Sequence, residues 1–89
     1  MARVHMRDVQ MELFLSCYSN NGKAYDLHRI SNGDTRKDEE IEAIYYNGLA
    51  DSAEHIIETF GWKDDYYRYC DHRDRGWSHA EIIAKHRSK

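Results

Sequence analysis

The segment VQMELFLSCYSNNGKAYDLHRI, residues 9–30, decides the fold class of this chain. Side chains over residues 9–18 alternate so that Val9 and Cys17 fall on one apolar face, a pattern typical of a half-buried β-strand. The Asn21-Gly22 pair that follows tolerates the positive φ angles of a two-residue hairpin turn. Residues 23–30 then form the returning strand. The pattern therefore predicts an N-terminal β-hairpin.

The same segment also supports a helix over residues 7–19 that ends in the Asn/Gly run. Met, Glu and Leu are good helix formers, and β-branched residues, which favour strands, are scarce here. Two fold classes follow. The first is an α+β fold in which the hairpin packs on three to four short α-helices, and the alternative is a small all-α bundle. We take the α+β fold as the prediction.

The rest of the chain carries the signals of short helices separated by glycines. Asn32-Gly33 closes the first unit, and Gly48, Gly61 and Gly76 are suitable residues just past a helix end. The predicted helices run from an Asp34 or Thr35 N-cap to about Asn47, from an Asp51 or Ser52 N-cap to Phe60, over residues 63–73, and over residues 79–87. Ser78 and Glu81 form a capping box for the last helix.

Apolar residues at helical spacing predict which side chains these helices bury. The predicted core stripes are Ile41, Ile44 and Tyr45; Ala53, Ile56, Ile57 and Phe60; Trp62, Tyr66, Tyr69 and Cys70; and Ala80 and Ile83 with Trp77 and Ile82.

Length and composition bound the class of protein. The chain has 89 residues, 40% of them hydrophobic and 33% charged, which predicts one globular domain over residues 6–89. We interpret residues 1–5 as a cloning remnant, because His5-Met6 matches a common vector junction. No signal peptide or membrane-spanning apolar run is apparent, so we expect a cytoplasmic protein with Cys17 and Cys70 reduced.

No catalytic motif is present, and we therefore expect neither an enzyme nor a cofactor. Every glycine is isolated, which excludes a P-loop and a dinucleotide fingerprint. One thiol and three imidazoles lie in the last twenty residues and could form a zinc site that stabilises the domain; these are Cys70, His72, His79 and His86. Only Cys70 and His72 have the close spacing of recognisable zinc motifs.

Charge and aromatic content instead indicate binding. Residues 34–60 hold eight acidic and two basic residues, a net charge of -6. The first predicted contact face is this acidic helix, with Asp38, Glu39 and Glu42. The second is an aromatic and basic face made of residue types enriched at protein interfaces. It comprises Tyr66, Tyr67, Arg68, Arg73, Arg75 and Trp77.

The leading hypothesis is a small non-enzymatic protein that contacts a protein partner, as an inhibitor or adaptor of a larger machine of the kind found in phages and mobile elements. Self-association is a further possibility. The alternative is a nucleic-acid-binding module like a helix-turn-helix, built from the helices on either side of Gly61. That module would use basic residues of the C-terminal third, namely Arg68, Arg73, Arg75, Lys85 and Arg87.

Overall fold

The computed structural model describes the backbone of residues 6–87 and the side chains of residues 8–85. Four helices make up this part of the chain: α1 (Met6–Ser31), α2 (Asp38–Thr59), α3 (Lys63–Asp74) and α4 (His79–Arg87). The described residues contain no strand. The predicted β-hairpin is therefore wrong, and the all-α alternative is confirmed. Residues 1–5, interpreted above as a cloning remnant, lie outside the described residues.

Helix α1 continues without a break through the segment that predicted a hairpin turn. Two asparagine amides bond one turn back along the helix: Asn20 donates to Ser16 Oγ at 3.2 Å, and Asn21 to Cys17 Sγ at 3.6 Å. The side chains that could have nucleated a turn thus support the helix instead. Six described residues of α1 are buried. Met11 and Phe14 are two of them, and the other four recur every seven positions, namely Gln10, Cys17, Ala24 and Ser31. This spacing is that of a helix and not the alternation of a strand.

Helix α2 joins the two helices that the sequence predicted on either side of Gly48. Its N-cap is Lys37, which makes no side-chain capping bond. The predicted caps are therefore wrong, and Asp34 has another role. The Asp34 carboxylate accepts the backbone N–H of Arg36 at 3.0 Å and orders the turn before the helix.

Helices α1 and α2 form an antiparallel hairpin that buries small side chains between them. The Cys17 thiol lies 3.5 Å from the Ala50 carbonyl oxygen, and the seam is otherwise lined by buried alanines and a serine. We call this contact the small-residue seam, and it comprises Cys17, Ala24, Ser31, Ala43 and Ala50. Such side chains allow two helix axes to approach closely.

Because the small-residue seam occupies the side of α2 that faces α1, the residues predicted as the core stripe of α2 face outward. Ile41, Ile44 and Tyr45 were expected in the core but are 56%, 59% and 62% exposed. Of the second predicted stripe, Ile57 is fully buried, whereas Ile56 is exposed. The buried side of α2 is therefore set by its alanines and Ile57, and most of its other large apolar side chains are exposed.

The main core lies at the end of the hairpin where α3 and α4 cover it. Phe14 and Ile57 are fully buried at its centre, and the Phe14 ring lies 5.4 Å from Tyr66 and 5.6 Å from Tyr69, measured between ring centroids. Ile82 of α4 closes this core. The predicted burial of Tyr66 and Tyr69 is confirmed, whereas Ala80, also predicted in the core, is exposed.

Positive φ angles mark the ends of the helices. Gly33, Gly61 and Gly76 have φ of 75°, 73° and 96°, as expected of residues just past a helix. The predicted capping box is confirmed at α4: Ser78 Oγ accepts the Glu81 N–H at 3.1 Å, and the Glu81 carboxylate accepts the Ser78 N–H at 3.2 Å.

The α1–α2 hairpin extends beyond the region covered by α3 and α4. The radius of gyration is 14.8 Å, compared with about 12 Å for a compact chain of this length. The longest dimension is 47 Å, against 27 and 26 Å for the others. We call the projecting part, residues 22–46, the arm. It is a two-helix structure formed by the end of α1, the turn and the start of α2.

Candidate protein interface

The aromatic and basic residues predicted as a contact face do not form one surface. Tyr66 is buried in the core, whereas Tyr67 is exposed beside it. Trp77 is half-buried, with Lys85 Nζ 4.9 Å from its ring centroid. The sequence correctly indicated that one member of each adjacent tyrosine pair faces outward, and it correctly placed Tyr66 in the core. It placed Tyr45 there too, whereas Tyr45 is exposed and Tyr46 is half-buried.

The arginines of this region have partners within the chain. Arg68 forms an ion pair with Asp65, and Arg75 forms one with Asp71 at 3.1 Å. The Arg73 guanidinium lies 5.2 Å from the centroid of the Tyr18 ring. A phosphate would therefore have to compete with an intrachain carboxylate at Arg68 and Arg75, which weakens the case for nucleic-acid binding.

Among the described residues, the candidate metal ligands Cys70, His72 and His79 do not form a metal site. His72 Nδ1 lies 2.8 Å from the Arg68 carbonyl oxygen, and His79 Nδ1 lies 2.9 Å from the Tyr69 hydroxyl. Cys70 borders a groove beside α1, and the side chain of His86 lies outside the described set. Within residues 8–85, no three His, Cys, Asp or Glu side chains are arranged to hold a metal ion.

A hydrogen-bonded cluster of the buried Ser31 and Glu40 with the exposed His28 joins α1 to α2 at the tip of the arm. Ser31 Oγ donates to Glu40 Oε2 at 2.6 Å, and His28 Nδ1 lies 2.9 Å from the same oxygen. The Gly33 N–H donates to Ser31 Oγ at 3.2 Å. Ser31 and His28 lower the pKa of Glu40, so the carboxylate is ionised and bound on two sides.

Serine, glutamate and histidine are also the residue types of a catalytic triad, but their order here is different. The carboxylate stands between the hydroxyl and the imidazole, so the imidazole is not placed to take the Ser31 proton, as it would be in a triad. Ser31 is also fully buried. The geometry supports a structural role in joining α1 to α2.

The residues of the predicted acidic face surround this cluster. Asp38 and Glu42 are exposed on the first turns of α2, and Glu39 is half-buried. Carboxylates in the first turn of a helix are stabilised by the helix dipole, so these acidic residues also have a structural role at the start of α2. With the basic residues Arg29, Arg36 and Lys37 counted, they leave residues 28–42 at the tip of the arm with a net charge of -2.

A groove of about 790 Å³ runs along one side of the arm. The buried alanines Ala24 and Ala43 line it, together with two large side chains, Tyr25 and Ile44, that are 70% and 59% exposed. Helix α3 borders it with residues that include Tyr66 and Cys70. The groove is thus a channel with apolar walls from α1 and α2 that α3 borders on one side.

Three carboxylates and one imidazole contribute to the polar lining of the groove. Asp26, Glu40 and Asp74 line it with His28, and no Lys or Arg occurs among the described lining residues. Asp26 has an exposed ion-pair partner, Arg29 at 3.6 Å, and Glu40 is bonded to His28. The Tyr18 hydroxyl donates to Asp74 at 2.8 Å and holds that carboxylate at the α3 end. The arrangement can accommodate apolar side chains along the channel and cations at its borders.

Helix α2 presents a second apolar surface away from α1. Four of its exposed large residues recur at intervals of four, four and seven; we call them the outer stripe, which comprises Ile41, Tyr45, Leu49 and Ile56. Sequence reasoning found Ile41 and Tyr45 but placed them in the core. The available signal was the set of alanines at positions 43, 50 and 53, which define the opposite side of the same helix.

No protein-family model, curated protein or solved structure matches the chain. None of the described helices is long and apolar enough to cross a lipid bilayer. The geometry of the surfaces therefore carries the functional argument.

Proposed function

We propose that this chain is a non-enzymatic protein-binding module that holds a cationic amphipathic helix of a partner protein in the groove of the arm. The observation that carries the proposal is that α1 and α2 bury alanines between them while Tyr25 and Ile44 face the open groove. A helix with apolar side chains laid between two others is a recurrent mode of recognition.

Apolar burial supplies the affinity in this proposal. Tyr25 and Ile44 each retain more than half of their exposure, and both border the same channel. Covering such side chains removes apolar area from water, at about 25 cal/mol for each Å². A third helix in the groove would give the arm the side-on packing that α3 gives to the other end of the hairpin.

The carboxylates beside the groove determine how the partner helix is oriented and which partner helices bind. Asp26, Glu40 and Asp74 border the channel, and Asp38 and Glu42 add negative charge at the tip. A field of one sign speeds the encounter with an oppositely charged segment and disfavours acidic ones. A module of this kind would act as an inhibitor or adaptor of its partner. Its two free thiols are compatible with the reducing cytoplasm.

The test is a titration with two designed helical peptides, one of Leu and Lys and one of Leu and Glu, followed by calorimetry. We expect the wild-type chain to bind the Leu/Lys peptide and not the Leu/Glu peptide. Ile44→Asp should abolish binding, because it places a carboxylate among the apolar contacts. Binding should weaken as salt rises.

Ile56→Asp provides a matched control, since Ile56 is an exposed isoleucine on the same helix but lies outside the groove. This variant should bind the Leu/Lys peptide as the wild type does. Equal losses in the two variants, or equal binding of both peptides by the wild type, would contradict the proposal.

A further inference from the structure

We infer that the groove selects its partner mainly through one carboxylate, that of Asp74, which binds a basic side chain of the partner helix at the α3 end of the groove. The inference rests on the proposed function and adds to it the position of the cationic contact. Asp74 is the last residue of α3, and its exposed side chain lines the groove. The other two lining carboxylates, Asp26 and Glu40, lie on the arm.

The two carboxylates on the arm already have partners within the chain. Asp26 forms an ion pair with Arg29 at 3.6 Å. Glu40 is buried, accepts the Ser31 hydroxyl at 2.6 Å, and lies 2.9 Å from His28 Nδ1. Either carboxylate would have to exchange an existing partner before it could bind a cation of another molecule, and the loss of that partner offsets the gain.

Asp74 differs because, among the described side chains, no basic group forms an ion pair with it. The two arginines beside it in the sequence have other contacts. Arg73 Nη1 donates to the Trp77 carbonyl oxygen at 3.5 Å. Arg75 forms an ion pair with Asp71 at 3.1 Å. The Asp74 carboxylate is therefore the one in the groove lining that can bind a cation without giving up a partner of opposite charge.

The position of Asp74 in α3 adds to the attraction for a cation. It is the C-terminal residue of the helix, where the helix dipole contributes partial negative charge. A carboxylate at this end is unfavourable for the helix itself, whereas a cation bound there is favourable. Residues that go against a local preference are expected at functional sites.

Tyr18 of α1 holds the Asp74 carboxylate in place. Its hydroxyl donates to Asp74 Oδ1 at 2.8 Å, and Asp74 raises the pKa of this hydroxyl, so Tyr18 stays protonated and remains the donor at neutral pH. The Tyr18 ring packs edge-on against the buried Tyr69, with 6.1 Å between the ring centroids. A carboxylate that is held before binding loses less conformational freedom when a partner arrives.

The apolar and cationic contacts lie at different points along the groove. Tyr25 and Ile44 border it on the arm, whereas Asp74 is held beside Tyr18. Tyr18 precedes Tyr25 by seven residues in α1, which corresponds to about 10 Å along the helix axis. The partner helix therefore carries its basic residue about two turns from the apolar side chains that pack on Tyr25 and Ile44.

The first experiment uses two helical peptides that share one apolar face and differ in a single residue, Lys or Gln, placed two turns from the central leucine. Calorimetry gives the ratio of their affinities for each variant of the chain. We expect the wild type to prefer the Lys peptide by about threefold to fivefold. Asp74→Asn should remove this preference. Tyr18→Phe should reduce it, because it keeps the ring but removes the hydroxyl that fixes Asp74.

Asp26→Asn is the matched control, because Asp26 is also an exposed carboxylate that lines the groove. This variant should keep the preference for the Lys peptide. A preference that survives Asp74→Asn, or that is absent from the wild type, overturns the inference and leaves the groove as the binding site. A wild-type chain that binds neither peptide overturns both the inference and the proposed function.

The second experiment locates the contact without relying on affinity. A carbodiimide joins a lysine amine to a carboxylate in contact with it, and mass spectrometry identifies the residue that is joined. The Lys peptide is acetylated at its N-terminus, so that the lysine carries its one amine. We expect the peptide to be joined mainly to Asp74. A main product at Asp26 or at any other carboxylate overturns the inference.

Discussion

The imidazole of His28 lies 2.9 Å from a carboxylate oxygen of Glu40, across the turn that joins the two longest helices. Together with the buried hydroxyl of Ser31, it lets the arm end in an ordered, ionised cluster rather than a frayed loop. The arm is covered by neither α3 nor α4, so its tip depends on this cluster. Three of the predictions below test the cluster or the helices that it joins.

The first prediction concerns the stability of the protein at acid pH. The hydrogen bond from Ser31, and then that with His28, lower the pKa of Glu40, so the ionised form is favoured by folding. Its stabilisation is complete above the unfolded pKa of about 4.3 and is lost as the pH falls through the lower folded value. We expect the gap in free energy of unfolding between wild type and Glu40→Gln to shrink between about pH 6 and pH 3.

Urea denaturation at several pH values measures that gap. The exposed Glu42→Gln, two residues along the same helix, is the control and should differ little from wild type throughout. A gap for Glu40→Gln that stays constant from neutral to acid pH would mean that Glu40 is not held in its ionised form by folding.

The second prediction concerns glycine. Gly22 lies inside α1, and a Cβ there would meet nothing within 4 Å. Gly22→Ala should therefore raise the free energy of unfolding by about 0.5–1 kcal/mol, because alanine is the better helix former. Gly33 is the contrasting position: its φ is 75° and an added Cβ would lie 3.3 Å from His28 Cε1.

Gly33→Ala should accordingly lower the free energy of unfolding by about 1 kcal/mol or more. Both variants can be compared by chemical denaturation. If residues 9–30 formed a hairpin, Gly22→Ala would instead lower the free energy of unfolding, since alanine is unfavourable at the positive φ of a turn. Destabilisation by Gly22→Ala would thus refute the continuous helix.

The third prediction tests which side of α2 is buried. Ile57 is fully buried in the core, whereas Ile44 is exposed on the groove. Ile57→Ala should cost about 2–5 kcal/mol, which is a large share of the stability of a chain this small. Ile44→Ala should change the free energy of unfolding by no more than about 0.5 kcal/mol. Similar costs for the two substitutions would show that the helix is rotated from the position described.

The fourth prediction concerns the thiols. Burial raises the pKa of both Cys17 and Cys70, so little thiolate is present at neutral pH. We expect slow reaction with a disulfide reagent in the folded state, with Cys17 the slower because it is fully buried. In denaturant, both thiols should react rapidly with the reagent. Rapid labelling of Cys17 in native protein would indicate that the core opens readily.

Local signals in the sequence predicted the ends of helices well. Gly61 and Gly76 follow helices, and Ser78 caps the last one, because these effects depend on the few residues around each end. Gly22 and Gly48 carry the same local signal but lie inside helices. At these positions the packing of α1 against α2 outweighs a local preference against glycine in a helix of about 1 kcal/mol. This packing joins residues that are far apart in the sequence, so a short segment of sequence does not reveal it.

The exposed surfaces could not be predicted, for a different reason. The contact between α1 and α2 is made by Ala24, Ala43 and Ala50, which contribute little to a hydrophobic pattern. The pattern instead follows Ile41, Ile44 and Tyr45, and these were assigned to the core. Large apolar residues opposite a line of alanines signal a surface that is available for binding.

The spacing of the small-residue seam also leaves the register of the hairpin weakly determined along its length. Cys17, Ala24 and Ser31 recur every seven residues, as do Ala43 and Ala50 on the other helix. Sliding one helix by seven residues would exchange one small pair for another at little cost in packing. Only the two ends oppose such a slip, the Glu40 cluster at the tip and the aromatic core at the base, so these few contacts specify which residues of the arm lie side by side.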